Sequence, residues 1–147
     1  MIVPADGELL EEWRVVHNVV VAPAPLSAAE VHQRAERHDL SVAYVDGVLV
    51  GNATVRAPEG GGVTLIVRVL PEHRRRGFGG EYLATLLAQV RTARPVRIDT
   101  VVLAVNADGL TFARRHGFVE TGRYERRGVT YVDLTLRDGF PSAPSTN

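Results

Sequence analysis

LIVRVLPEHRRRGFGGEYL, residues 65–83, carries an apolar run into a turn crowded with like charges. Pro71 closes the run, Arg74, Arg75 and Arg76 follow, and Gly77, Gly79 and Gly80 lead into a segment where Leu83, Leu86, Leu87 and Val90 fall at helical spacing. The arginines therefore stand at a helix N-terminus, where unsatisfied N–H groups and the positive end of the dipole already point outward. Cations at that end are unfavourable by about 0.3–1 kcal/mol each. An anion bound in front of the helix would make sense of the arrangement. Glycines let a backbone approach such an anion closely, and arginine adds full charge beside the amide dipoles. A plain glycine turn with solvated arginines explains the short pattern equally well.

On either side of this stretch the chain alternates in type. Ile2-Val3 reads as a very short strand, and Leu9, Leu10, Trp13, Val16 and Val20 suggest a helix that opens near Asp6 or Gly7 and is broken by the APAP of residues 22–25. Ser27 and Glu30 form a capping-box pattern, which predicts a second helix from about Ala28 to His38. Asp46-Gly47 is a hairpin turn between two β-rich runs. Val63 to Leu70 is a strand, the helix after the arginines runs to about Ala93, and Val96 to Val105 reads as a buried strand. A short helix over Asp108 to His116 stops at Gly117, and two last strands, Phe118 to Arg126 and Val129 to Arg137, turn at Arg127-Gly128. The order β-α-α-β-β-β-α-β-α-β-β defines a mixed α/β domain over residues 1–137, with 138–147 expected as a mobile tail.

Composition bounds the function. The 147 residues are 45% hydrophobic, enough for one domain with a real core. Formal net charge is zero, which argues against a nucleic-acid or membrane-surface partner. There is no cysteine, hence no thiolate metal site or thiol nucleophile, and His17, His32 and His38 lack metal-ligand spacing, so no metal is expected. No apolar run approaches the roughly 20 residues of a membrane span, and the N-terminus does not read as a signal peptide; a cytoplasmic protein is expected. All 17 basic residues are arginine.

A P-loop would need Gly-Lys-Ser/Thr after the glycines, and a dinucleotide fingerprint a different glycine spacing; neither is present. A second stretch, VNADGLTFARRHGFVETGRY, Val105 to Tyr124, gives the first its meaning. Together they resemble the GCN5-related N-acetyltransferase (GNAT) family. Arg74-x-x-Gly77-x-Gly79 matches the family's pyrophosphate motif, Val69-Leu70-Pro71 approximates its lead-in, and Asn106 with Gly117-Phe118 matches its later segment. The element order fits from about Ile2 to Arg137. The resemblance implies a mixed, mostly antiparallel central sheet flanked by helices, with acetyl-CoA as acyl donor. It implies that main-chain groups of Val67, Arg68 and Val69 pair with the pantetheine arm. Arg74, Arg75, Arg76, Gly77, Phe78, Gly79 and Gly80 would hold the pyrophosphate, Asn106 would lie beside the pantetheine and Phe112 near the thioester.

The chain departs from the family at the acid. Many members carry a tyrosine, able to protonate the leaving thiolate, four residues before the Gly of the Gly-Phe pair; here that residue is Ala113. Tyr124 and Tyr131 on the last strands are the substitutes, Thr111 is a poor acid, and Glu120 is a candidate base. Glu72 and His73, near the motif, read as solvated loop residues, Asp99 as distant from the thioester, and Arg123, Arg126 and Arg127 as solvated charges. Arg68 is an arginine inside an apolar strand. It either snorkels to an open face or meets an anionic group of the acceptor. The leading function is acetyl transfer from acetyl-CoA to a primary amine of a small molecule or peptide, with a homodimer left open. The alternative is a non-catalytic acyl-CoA-binding or sensor domain, kept by Ala113. An arginine-rich anion or RNA binder is the weakest reading, given neutral charge and few aromatics.

Overall fold

In the computed structural model, residues 1–137 are described; the expected tail, 138–147, lies outside them. The chain runs β1 (Ile2–Pro4), α1 (Leu9–Val20), α2 (Ala28–Arg37), β2 (His38–Val45), β3 (Val48–Arg56), β4 (Gly62–Val69), a 3-10 turn (Pro71–His73), α3 (Phe78–Arg91), β5 (Arg97–Leu103), α4 (Ala107–Arg115), β6 (Phe118–Arg126) and β7 (Val129–Leu136). The expected order is observed. Seven strands form one sheet in the order β1-β2-β3-β4-β5-β7-β6, antiparallel everywhere except between β4 and β5.

Local chemistry accounts for most boundaries. The Ser27 hydroxyl accepts from the Glu30 amide while the Glu30 carboxylate accepts from the Ser27 amide, so α2 starts on a complete capping box. Asp46 and Gly47 both hold positive φ, 52° and 78°, the backbone that a two-residue hairpin demands. β5 is shorter than the expected Val96 to Val105. Both valines are about four-fifths exposed, and the Asn106 amide donates to Leu103 O, turning the chain into α4 before the apolar run is used up.

α1 and α2 cover one face of the sheet, with Leu10, Trp13, Leu26, Val31, Leu40 and Val42 packed together. α3 and α4 cover the other, where Tyr82, Leu83, Leu86, Leu110 and Ala113 pack on Leu65, Ile98, Val132 and Leu134. Trp13 pins α1 to β3: its indole N–H donates to Ala53 O, and Asn52 Nδ2 donates to Trp13 O. Strand alternation then fixes which side chains share a face. Leu65 and Val67 belong to the α3 side, so Arg68 points to the α1/α2 side. Paired with Asn52 across the β3–β4 ladder, it shares that face with Asn52 and Arg56.

β4 and β5 are joined only at Gly62–Thr64 with Arg97–Asp99. Beyond Thr64 the two strands part, leaving the β5-facing edge of β4 from Leu65 to Val69 without a strand partner, while its other edge stays on β3. The sheet thus consists of two halves that diverge around a slot.

Candidate active site

At the end of β4, Leu70 and Pro71 lead through the 3-10 turn into Arg74–Gly77, and α3 starts at Phe78. Arg75 and Gly77 hold positive φ, 65° and 85°. Alternation of left- and right-handed residues curls successive N–H groups toward one concavity. Among the described residues, none of the amides from Arg75 to Gly80 donates to a backbone or side-chain acceptor. Arg74 plays a different part. Its Nε donates to Val69 O at 2.9 Å and its Nη1 to Asp108 Oδ2 at 3.3 Å, tying the end of β4 to the first turn of α4. Asp108 also draws Arg75 to 3.8 Å. Gly79 sits where α3 meets α4: a Cβ there would lie 3.0 Å from Phe112 Cε1 and 3.4 Å from Val69 Cγ2. The Asn106 side chain accepts from the Gly109 amide and caps α4.

A cleft of about 960 Å³ runs from this turn through the gap between β4 and β5 to the opposite face. That is at the upper end of ligand-site sizes, room for a long ligand and a second one. It brings together Val67 to Val69, Arg74, Arg75, Gly77 to Gly80, Asn106 and Phe112 with Ala113, Tyr124 and Tyr131. Arg76 does not line it. Nor does Glu120, which is held by Arg123 and Arg114, the hydrogen bond from Arg123 first keeping its carboxyl below the usual range. Asp99 is engaged by Arg97 and Thr135 away from the cleft.

Ala113, where the family's tyrosine would stand, is 3% exposed at the floor of the cleft. Tyr124 and Tyr131 face each other across the β6–β7 ladder, rings stacked with centroids 5.2 Å apart, on the α1/α2 side. Burial first, then Asp133, raises the Tyr124 phenol.

The α1/α2 end of the cleft holds groups that sequence reading passed over. Arg34 comes from α2, Arg56 from the end of β3, Arg126 from β6 and Arg127 from the hairpin turn, and all line it with Arg68. Arg126 and Arg127 are thus rim residues of the cleft rather than bystanders. Arg68 does not snorkel: its Nη1 is shielded from water and has no partner among the described residues. Burial first, then Arg34 and Arg56, pushes its guanidinium down to about 9, still charged at neutral pH. His17 stacks on Trp13 and its Nε2 lies 3.1 Å from Ala24 O, a contact that places the proton on Nε2. Its Nδ1 is buried without a partner, and burial first, then Arg68, pushes the imidazole down to about 3. No periodicity could have announced this group, because its members come from distant segments. Only the strand parity of Arg56 and Arg68 was latent in the sequence. Among the described residues no cluster of three or more His, Cys, Asp or Glu could hold a metal ion, and no helix is long and apolar enough to cross a membrane.

A family model described as an acetyltransferase (GNAT) domain matches residues 36–120, more than half of the chain. The protein belongs to that family, and acetyl transfer is the family's reaction. The fold is shared with solved structures along nearly the whole chain. A ribosomal-protein-alanine N-acetyltransferase from Brucella melitensis is 23% identical, covering 92% of this chain and 98% of that one, with a TM-score of 0.73. A Salmonella typhimurium structure with its cofactor acetyl-CoA is 20% identical over 98% of this chain and 96% of that one, with a TM-score of 0.72. A GNAT family acetyltransferase from Elizabethkingia anophelis with acetyl-CoA bound is 13% identical over 92% and 96%, with a TM-score of 0.68. A search of curated proteins found no match.

Proposed function

We propose that the protein transfers acetyl from acetyl-CoA to a primary amine by direct attack within a ternary complex, residues 1–137 acting as one catalytic domain in the cytoplasm. One observation carries the reading: a concave run of amide donors without partners, Arg75 to Gly80, at the N-terminus of α3 beside an unpaired edge of β4. A pyrophosphate fits the first, since it offers several anionic oxygens to converging N–H groups. An extended arm carrying amides fits the second, taking main-chain hydrogen bonds from Val67 and Val69 as a strand would. Phe112 and Asn106 border the arm, and two relatives of the same fold hold acetyl-CoA.

In the reaction the amine nitrogen bonds to the acetyl carbon, the carbon–sulfur bond breaks, and CoA leaves as the thiol, taking up the proton that the amine releases. The chain's part is mainly to hold amine and thioester together, which by itself can supply roughly 7–11 kcal/mol of barrier lowering. Among the described residues, His73 and His116 line the cleft on the side of the arginine turn and α4, and the other candidate bases are occupied or weak. Glu30 is bound by Ser27, Asp108 by the arginines of the turn, and the His17 imidazole, pushed down to about 3, is too weak a base at neutral pH. Water therefore takes the amine's proton. The sulfur is protonated by water or by the departing ammonium proton; among the described residues, Tyr124 and Tyr131 are the only phenols at the cleft.

Ala113 favours a second reading, an acyl-CoA sensor that binds without turnover. The two are separated by measuring free thiol while a panel of amines is offered with acetyl-CoA. Release of thiol above the hydrolysis background with any amine upholds transfer. Tight binding with no release across small amines and peptide N-termini sinks it in favour of the sensor.

A further inference from the structure

The chain as a whole is electrically neutral, yet five guanidinium groups converge on the α1/α2 end of the cleft: Arg34, Arg56, Arg68, Arg126 and Arg127. Among the described residues none of the five forms an ion pair; the salt bridges of the protein lie elsewhere. The one carboxylate in this part of the wall is Glu30, whose oxygen is already taken by the Ser27 amide. Arg34, Arg56 and Arg68 are half-buried and form the inner part, while Arg126 and Arg127 are exposed at the rim. Gathering like charges in a partly dry cleft is unfavourable unless something of opposite sign completes it. The unpartnered, water-shielded Nη1 of Arg68 shows that the described residues do not supply that charge.

The missing anion is not the one held at α3. That turn opens on the α3/α4 side of the sheet, whereas Arg56 and Arg68 project from the other face, and Arg34 descends onto them from α2. Arg68 neighbours Val67 and Val69 along β4, so an anion seated on it lies within about one side chain's length of the donor's path through the slot. A single carboxylate would leave most of the inner guanidinium groups uncompensated. We infer that the amine acceptor is a small molecule bearing a dianionic head, a phosphate monoester or a pair of carboxylates, which seats on Arg34, Arg56 and Arg68 and presents its amine to the slot. This deepens the acetyltransferase reading and rests on it for the reaction, though not for the anion site. Planar guanidinium forks suit both kinds of head, because each offers paired oxygens. The rim arginines raise the local concentration of such a molecule, so its capture weakens as salt is added.

The test compares four amines of similar length with saturating acetyl-CoA: neutral, monocarboxylate, dicarboxylate and phosphate monoester, read as free thiol. We expect kcat/KM to rise about 10-fold for each negative charge, as charge-assisted hydrogen bonds imply; the last two arms tell phosphate from dicarboxylate. Arg34→Gln and Arg56→Gln each lower the value for the dianionic acceptors about 10-fold or more, while the dissociation constant of acetyl-CoA, measured by calorimetry, stays within about 2-fold. Arg68→Lys, which keeps the charge if Arg68→Gln fails to fold, retains part of the preference. Turnover of neutral or cationic amines as fast as dianionic ones overturns the inference and leaves acetyl transfer standing. If no amine is turned over, calorimetry with the phosphate monoester amine and the dicarboxylate amine on CoA-saturated protein still decides. Binding lost in Arg34→Gln upholds the anion site while the acetyltransferase reading fails, and no binding overturns both.

Discussion

Gly79→Asp puts the donor site to a quantitative test. The Cβ of any side chain at this position would meet Phe112 Cε1 at 3.0 Å, tighter than ordinary packing, and touch Val69 Cγ2 at 3.4 Å. Phe112 must yield, and it is one of the walls expected to hold the donor. A carboxylate would also stand among the unpartnered amides proposed to hold the pyrophosphate, repelling a ligand of the same sign. A ligand at about 100 times its dissociation constant stabilises a protein by roughly 2.7 kcal/mol. For a chain of this length that corresponds to a melting shift of roughly 5–10 °C. If the substitution weakens binding about 100-fold, the same ligand concentration contributes only about 0.4 kcal/mol, and the shift falls to roughly 1–2 °C. An acidic residue in the first turn of a helix is itself favourable, which offsets part of the crowding, so the unliganded variant remains folded. Thermal denaturation with and without acetyl-CoA, on wild type, Gly79→Ala and Gly79→Asp, reads all three quantities. The alanine should lose part of the shift through crowding and the aspartate nearly all of it. Equal shifts in wild type and Gly79→Asp would refute the placement of the pyrophosphate.

Other outcomes follow from the same geometry. Tyr124→Phe and Tyr131→Phe should each leave the rate of thiol release within about 10-fold, below the usual worth of a general acid; a larger loss in either identifies a relocated acid and removes the water route. Ala113→Tyr should fold, at a cost within the roughly 1–3 kcal/mol of overpacking, because this position opens onto the cleft; urea denaturation checks it. Trp13→Ala should lose about 3–5 kcal/mol of stability in the same assay, since the ring is fully buried and two hydrogen bonds join its residue to β3. His17 titrates near 6.5 when unfolded and near 3 when folded, so between those values the unfolded chain binds the extra proton. Stability should therefore fall with acidification by up to about 1.4 kcal/mol per pH unit from this group, and His17→Gln should flatten that slope.

Local signals in the sequence were read correctly where the physics is local. Ser27 and Glu30 announce a helix start because their two hydrogen bonds span four residues. Asp46-Gly47 and Arg127-Gly128 announce hairpins, and the left-handed φ at all four positions is what those turns require. Gly117, at φ 93°, ends α4 for the same reason. The arginine-glycine stretch correctly suggested a helix start facing outward. That Arg74 would spend its side chain on Val69 O and Asp108 was not legible, because Asp108 reaches it only through the packing of α4 against β5. Arg68 stood out as an arginine inside an apolar strand, but its inner companions were missed for the same cause. Arg34 and Arg56 look like ordinary surface charges until the β3–β4 register turns Arg56 and Arg68 to one side and α2 is laid over them. Val96 and Val105 misled in the opposite sense: valine makes a strand plausible, but burial is decided by where the chain must turn.

The slot between β4 and β5 has a kinetic consequence. It passes through the sheet rather than resting on it, so a molecule lying in it forms part of the floor on which anything at the other face must rest. With acetyl-CoA in the gap, as proposed, the α1/α2 end of the cleft would gain a floor; without it, that end continues through the gap to the α3 turn. An acceptor entering first would find neither a floor nor a thioester, and one held above the donor would obstruct its lateral entry into the gap. The two substrates should therefore add in a compulsory sequence, acetyl-CoA first, with the acetylated product leaving before CoA. Initial-rate patterns should intersect, and the product CoA should compete with acetyl-CoA but not with the amine. The parting of two strands after three paired residues thus sets the order of events in solution as well as the shape of the sheet.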